Sequence, residues 1–485
     1  MAIVISDHMD QDVDFYVPPG SDATQELQEA IQLSRIYGVA HIIIRGRLYV
    51  YAAASPTLVL DQSLHYIFEG DGLGEIVYVN PNNLSNVPAM ITINSIATYE
   101  MQYITSNNAV VNTQEASYST WGWIIAFKNM RLINVTPQRW LIVTSFPNHM
   151  HSTMFYFDAV QFFASAWFNQ SATILVFNCY VNNAELLFDT QSRELMVIGS
   201  RFENGSNLAI SPRGWTVVGC VFVGTNVTYL NPGTDGNNGT VVGCVFDGAS
   251  IVTQGADNLK LVACQFQNVT FSGIGGKIQL VGGINYGIVG CSFESGYNVI
   301  ISDLYRGHTV FIAFNNFDFG SSLVVLVRDN YHVDSIIILG NLFSSQPTHG
   351  SVIFISGNST SSTLALSGTV KMLYIAFNTF INSAQTSGAI YGYQLSSSLR
   401  IHALAYINVA INVTYAYIAF NYFQYNYGLR DNSTGQPIGF FSLQQLTSNV
   451  NTITNLFFYF NVNENNPMYI PSSQTYSAQF NIGIS

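Results

Sequence analysis

Two carboxylates offer the plainest chemistry in this chain. Glu294 and Asp318 follow the same phrase in successive copies, Cys291-Ser-Phe293 and Asn315-Asn-Phe317. Two acids one strand spacing apart form a candidate glycosidase pair, one kept protonated by the charge of the other. Glu203 and Asp247 hold the same place in earlier copies. All four are followed within two residues by glycine (Gly205, Gly248, Gly296, Gly320), so turn initiation accounts for them as well.

A second group emerges on counting back from Asn315 and Asn341. Asp303 then aligns with Asp329, Arg306 with His332, and His308 with Asp334. In so charge-poor a chain this is the densest run of ionisable groups. It suits an anionic sugar, acid–base work, or a solvated, ion-paired outer turn. His149 and His151 alternate along a strand-like run and point the same way, but no third metal ligand shares their register. No metal or other cofactor is implied. Tyr391 and Tyr393 fall in a long non-repeating stretch, where binding residues concentrate on rigid scaffolds. Trp121, Trp123, Trp140 and Trp167 enrich residues 116–172, for sugar stacking, core packing or subunit burial.

What must position these residues is a repeat. Gly-Cys220-Val-Phe222, Gly-Cys244-Val-Phe246, Ala-Cys264-Gln-Phe266 and Gly-Cys291-Ser-Phe293 give way to Phe-Asn315-Asn-Phe317, Gly-Asn341-Leu-Phe343, Phe-Asn378-Thr-Phe380 and Phe-Asn421-Tyr-Phe423. Weaker copies run upstream from Ser200 to Asn178 and Asp158, and Asn461-Val-Asn463 is a degenerate last one. From Asp158 to Asn341 the steps are 20, 22, 20, 24, 20, 27, 24 and 26 residues. Such a period makes one solenoid coil of three short strands, with successive coils paired in parallel ~4.8 Å apart. Identical residues then stack: phenylalanines 202 to 343 as an internal aromatic column, and Asn315, Asn341, Asn378 and Asn421 as an amide column. The cysteines become buried free thiols. Beyond Asn341 the steps lengthen to 37, 43 and 40, through either a hidden extra coil or long lateral loops.

A helix is expected from Ser21 or Asp22 to about Tyr37, its buried side formed by Leu27, Ile31 and residues 33–36. Residues 1–20 read as an acidic arm. Asp22-Ala-Thr with Leu27-Gln-Glu-Ala-Ile31, then Gly46-Arg-Leu-Tyr49, then Phe68-Glu-Gly-Asp-Gly-Leu-Gly-Glu75-Ile-Val, resembles the opening of the pectate-lyase-like right-handed β-helices. The Asn-x-Phe coils resemble the same superfamily over most of the remaining chain. The resemblance implies an all-β, right-handed parallel β-helix with an N-terminal capping helix, of roughly a dozen coils at this period. It implies little about activity, because lyases, hydrolases, epimerases and phage tailspikes share the fold. The Arg, Lys and calcium-binding Asp array of its lyases is missing, as is the paired-aspartate motif of its pectin hydrolases.

The expected organisation is an arm and capping helix at 1–56, regular coils at 57–343, coils with long lateral loops at 344–463, and a cap or assembly tail at 464–485. Asp, Glu, Lys and Arg make up 9% of 485 residues, far below the usual ~25%. That composition suits an acidic medium or a surface hidden in an assembly, and it resembles proteins of viruses infecting acidophilic hyperthermophilic archaea. A net charge of −12 without a basic tract argues against nucleic acid. No apolar run is long enough to span a membrane. No secretory signal is read at Met1, where Asp7, His8, Asp10 and Asp12 follow closely, and ten Asn-x-Ser/Thr sequons hint at an exposed protein. The expected function is a structural virion surface protein (spike, turret or tail fibre) that attaches to a host-surface glycan or receptor through its lateral loops. Its expected partners are copies of itself and other virion proteins. The alternative is a depolymerase cleaving glycans on the same scaffold.

Overall fold

A computed structural model describes residues 2–34, 39–53, 58–60, 65–82, 89–94, 123–135, 140–145, 153–168, 173–188, 194–212, 214–230, 238–254, 258–268, 277–281, 285–294, 298–304, 309–318, 322–328, 331–344, 353–358, 368–381, 405–423, 439–443, 453–459 and 461–463. Short strands at 102–104, 110–112, 389–390, 394–396, 399–400, 430–431, 468–469 and 477–479 complete the description. The chain divides into two compact units, residues 1–235 and 236–485. Each is a parallel β-helix.

In the first unit a typical coil runs Thr173–Phe177, Tyr180–Asn182 and Glu185–Phe188. The first two strands meet at a corner residue in the left-handed region, here Asn178 at φ 51°. Alternation along each strand sends Ile174, Val176, Val181, Leu186 and Phe188 inward, all buried. The next coil pairs in parallel and in register, Ile174 with Leu195 and Val181 with Phe202. Identity at a fixed place in the coil therefore becomes stacking. Phe202 and Phe222 lie 4.9 Å apart. The upstream register differs from the sequence count: Tyr180 pairs with Arg201 and Gln161 with Tyr180, so Cys179 and Val160, not Asn178 and Asp158, occupy the repeat's inward position. Asn178 takes the corner itself, and Asp158 ends the strand before the corner at Ala159.

The expected helix is Thr24–Ser34. Asp22 accepts from the Thr24 N–H at 3.1 Å and from the Tyr51 N–H at 3.0 Å, tying the helix start to the first long strand. Leu27, Ala30, Ile31 and Ser34 face inward, whereas Leu33 is exposed. Helical spacing of three, four and seven residues selects that face and leaves Leu33 off it. The N-terminal segment is no loose arm. Ala2–Ser6 pairs residue for residue with His41–Arg45 and forms part of the first coil.

In the second unit Phe246, Phe266, Phe293, Phe317, Phe343, Phe380 and Phe423 stack with centroid spacings of 4.6–5.1 Å. Beside them runs the amide column, extended by Asn461. Asn315 Nδ2 donates to Asn341 Oδ1 at 2.9 Å, Asn341 to Asn378 at 2.9 Å, Asn378 to Asn421 at 3.1 Å and Asn421 to Asn461 at 3.0 Å. These direct bonds decide the long steps: each spans one coil carrying an extra excursion, with no hidden coil. Two such excursions pair with each other, Ala389 with Arg430 and Ile390 with Asp431. All five cysteines are free and buried, and burial pushes the Cys179 thiol up to about 12.

The corner position has a further pattern. Gly243, Gly290 and Gly340 take it with positive φ, but Phe314, Phe377 and Phe420 take it as well, at φ 57°, 57° and 55°. A non-glycine residue there costs roughly 1–2 kcal/mol.

Candidate functional site

The outer face of the first unit is built from residues that the same alternation turns away from the core. On both sides of the corner column it carries ionisable and aromatic groups in rows that follow the coils. After the corner, the pairing aligns Arg47, Glu75, Arg131, Gln161, Tyr180 and Arg201. Before it, Glu69, Lys128 and Asp158 align.

Each row is wired along the solenoid. Glu75, nearly buried, is gripped by Arg47 Nε on one side and by Arg131 Nη1 at 2.8 Å on the other. Arg131 Nε continues to Gln161 Oε1 at 2.9 Å. Burial opposes ionisation of Glu75, but the two guanidiniums outweigh it and hold the carboxyl below its ordinary range. Further along, Tyr180 donates to Glu203 Oε2 at 2.8 Å and Arg201 Nε pairs with Oε1. Tyr180 and then Arg201 keep Glu203 ionised below its ordinary range. Asn182 Nδ2 donates to the Tyr180 hydroxyl at 2.7 Å, and the Phe163 ring meets Tyr180 edge to face at 6.1 Å. In the other row Lys128 Nζ sits 5.6 Å over the Tyr156 ring, whose hydroxyl donates to Asp158 at 3.1 Å. Burial and the Asp158 charge raise the Tyr156 pKa, so the hydroxyl stays a donor.

At the start of the strip Arg45 collects Asp71 and Asp12 at 2.9 Å and Asp10 at 3.3 Å. His41 Nε2 lies 2.8 Å from Glu69. Gly46 is required here: a Cβ on it would fall 1.7 Å from Asp7 Oδ1, and its φ is +77°. Gly70 and Gly74 of Phe68-Glu-Gly-Asp-Gly-Leu-Gly serve the same crowding. Cβ atoms on Gly70 and Gly74 would lie 2.2 Å from the Asn129 carbonyl and 2.0 Å from that of Ile44.

The residues singled out from sequence are distributed unevenly. Glu294 and Asp318 are half-buried and share one register on adjacent coils, their N–H groups donating to the Phe266 and Phe293 carbonyls at 2.8 Å each. Asp318 Oδ1 accepts from Ser344 Oγ at 2.9 Å. Asp303 lies on the strand Asn298–Leu304, but its alignment with Asp329 is corrected. Leu304 pairs with Val327 after a register shift, so Asp303 falls before that pair, near 325–327. A bulge consumes the residues that simple counting had assigned to the turn. His332 is exposed and its Nδ1 meets Thr369 Oγ1. Asp334 and Lys371, both exposed, lie between the paired Val333–Val370 and Ser335–Met372. Arg306, His308, Asp329, Tyr391, Tyr393, His149 and His151 lie outside the described residues. Among the described residues no three His, Cys, Asp or Glu side chains group as a metal site would require, and no helix is long and apolar enough to cross a membrane.

Sequence reasoning passed over the Arg47–Glu75–Arg131 chain. Arg45-Gly-Arg47 and Glu69-Gly-Asp71 were its only local signals, and Arg131 lies 56 residues from Glu75 across an excursion that interrupts the period.

No protein-family model matches this chain, and no curated protein does. Among solved structures it is similar to tailspike protein 3 of bacteriophage CBA120, with 14% identity, TM-score 0.38, and 76% of this chain and 60% of that one covered. It is also similar to a double mutant of the E. coli bacteriophage HK620 tailspike protein in complex with a pentasaccharide (12% identity, TM-score 0.34, 100% and 80% covered). A third is tailspike protein gp49 of Acinetobacter baumannii bacteriophage Fri1, a capsular polysaccharide depolymerase (10% identity, TM-score 0.26, 79% and 62% covered). The chain thus spans 60% of the length of the first of these.

Proposed function

We propose that this chain is a structural β-solenoid of a virion surface that attaches to a host-surface glycan. The observation that carries the attachment is the outer strip of residues 39–203. It places guanidinium, carboxylate, amide and phenol groups at one-coil intervals beside half-buried rings. A sugar chain lying along the axis would meet a donor or acceptor every ~4.8 Å. Preorganised polar groups of this kind set orientation and specificity without a deep pocket. The second unit supplies a further candidate set for contact, Tyr391 and Tyr393 together with Asp303, Arg306, His308, Asp329, His332 and Asp334. Its partners are further copies of the chain, other virion proteins and the glycan or receptor.

Immobilised host-surface polysaccharide tests this reading by surface plasmon resonance. Replacing Arg131 and Arg201 together with Ala is expected to weaken binding at least tenfold while leaving the circular dichroism spectrum unchanged. Wild-type affinity in that variant rejects the strip. A second reading, glycan cleavage, is favoured by the shared register of Glu294 and Asp318 on adjacent coils. One member would serve as general acid and the other as nucleophile or base. New reducing ends in wild type that vanish in Glu294→Gln and Asp318→Asn would support it, and equal yields in wild type and variants would reject it.

A further inference from the structure

We infer that the corner phenylalanines of the second unit form a face on which a second copy of this chain packs. Phe314, Phe377 and Phe420 are 62%, 53% and 45% exposed, all in a backbone region that bulky L residues avoid. Glycine serves the same corner at 243, 290 and 340 without strain. Stacking of Phe377 on Phe420 and packing of Phe314 against the Gly340 corner offset part of that strain, and cover from outside would add to it.

The surroundings specify the cover. Along the paired registers of Thr309–Ala313, residues 335–339, 372–376, 415–419 and 455–459, and in the rows just past the corner, the described residues include no Asp, Glu, Lys, Arg or His. Tyr374, Tyr417 and Phe457 run beside the corner rings, and Met372 and Tyr415 are exposed. The equivalent rows of the first unit hold Lys128, Asp158, Arg131 and Arg201. These five coils therefore present an uncharged strip, rimmed by the exposed His332, Asp334 and Lys371, in a chain whose net charge is −12. Two identical acidic chains repel over most pairings of their surfaces. A patch without charges can meet its own copy without juxtaposing like charges, as an isologous contact requires.

Ring orientation argues against a sugar here. Phe377 and Phe420 stack at 4.8 Å with planes 3° apart, and Tyr417 stacks on Phe457 at 4.8 Å and 10°. Their faces are taken up by each other, so edges point outward and the flat platform that a sugar ring stacks on is missing. Five coils at ~4.8 Å, with outward strands of roughly 23 Å, offer about 550 Å² per copy. The resulting ~1,100 Å² for a pair clears the ~1,000 Å² that a specific contact needs. This face builds on the self-association proposed above and is separate from the glycan strip, so mass and ligand binding report on the two independently.

Sedimentation velocity on the full chain, wild type and the triple variant Phe314→Gly/Phe377→Gly/Phe420→Gly, tests it. Wild type is expected at a multiple of 53.5 kDa and the variant at 53.5 kDa. Because glycine suits a positive φ, as at 243, 290 and 340, the variant is expected to keep the wild-type far-ultraviolet circular dichroism. A wild type that is monomeric even at the highest concentration tested, or a variant that keeps the wild-type mass, overturns the face. So does a variant of unchanged mass that loses polysaccharide binding, since the rings would then be serving a ligand. Loss of glycan binding in the Arg131/Arg201 variant with its mass unchanged supports the separation of the two surfaces.

Discussion

Asn378 shows how much one side chain holds. Its Nδ2 donates to Asn421 Oδ1 at 3.1 Å, the Ile338 carbonyl at 2.9 Å and the Ala376 carbonyl at 3.0 Å, and its Oδ1 accepts from the Asn341 N–H and Nδ2 at 2.9 Å each. It is fully buried. Asn378→Ala leaves several of these groups dry and unpaired, each costing ~1–3 kcal/mol, so a net loss of about 3–5 kcal/mol is expected from urea denaturation. Asn378→Cys should cost less. The chain itself uses cysteine at this position, where Cys291 Sγ accepts from the Cys264 N–H at 3.4 Å. Equal midpoints for the two variants would deny the column its hydrogen-bonding role. Gly46 makes the reverse case, in which adding one atom is harmful. Gly46→Ala meets Asp7 Oδ1 at 1.7 Å and a positive φ, and should lower stability by about 2–4 kcal/mol.

Among the elements, the outer face of the first unit is held by charge as well as by the packing beneath it. Asp12, Glu75 and Glu203 all have folded pKa values below their ordinary ones. Arg45 is the cause for Asp12, the two guanidiniums against burial for Glu75, and Tyr180 with Arg201 for Glu203. A group depressed in this way contributes its full stability above its unfolded pKa, and loses it as pH falls through the folded value. Acidification from about pH 6 to about pH 3 should therefore speed hydrogen exchange, corrected for intrinsic rates, in Ala2–Ser6, Val39–Tyr51 and Arg201–Glu203. The backbone amides of Asn315, Asn341 and Asn378 bond to side-chain amides that do not titrate. Their protection should persist. Uniform acceleration across both regions would show that the ion pairs do not anchor the outer face of the first unit.

For the whole molecule, a solenoid whose coils touch chiefly their neighbours should accept the removal of one complete coil. Gln265 pairs with Ser292 and Phe266 with Phe293, one period of 27 residues apart. Deleting residues 265–291 joins Cys264 to Ser292 and restores every inward position. That deletion is expected to keep a cooperative melt and a β-type far-ultraviolet spectrum. Removing a similar number of residues out of phase with the period turns inward residues outward and should abolish folding. If both deletions fold alike, stacking does not set the register.

The amino-acid sequence alone determined the coil, its internal columns of Phe202–Phe222 and Phe246–Phe343, the amide column and the buried thiols. A residue recurring at one place in a regular period can be satisfied on every coil only by parallel, in-register stacking, and that constraint is local enough to read. The tertiary structure decided the rest. Whether the steps from Asn341 to Asn378 and beyond hide a coil was settled by an amide bond, because an excursion of unequal length breaks the count on which register depends. The bulge before Leu304 displaced Asp303 for the same reason. The Arg47–Glu75–Arg131 chain joins coils separated by such an excursion. The phenylalanine corners were hidden for a different cause. Nothing in Ile-Ala-Phe-Asn announces a left-handed residue, since phenylalanine is the wrong side chain for one; only the turn of the coil around the inward asparagine forces it there.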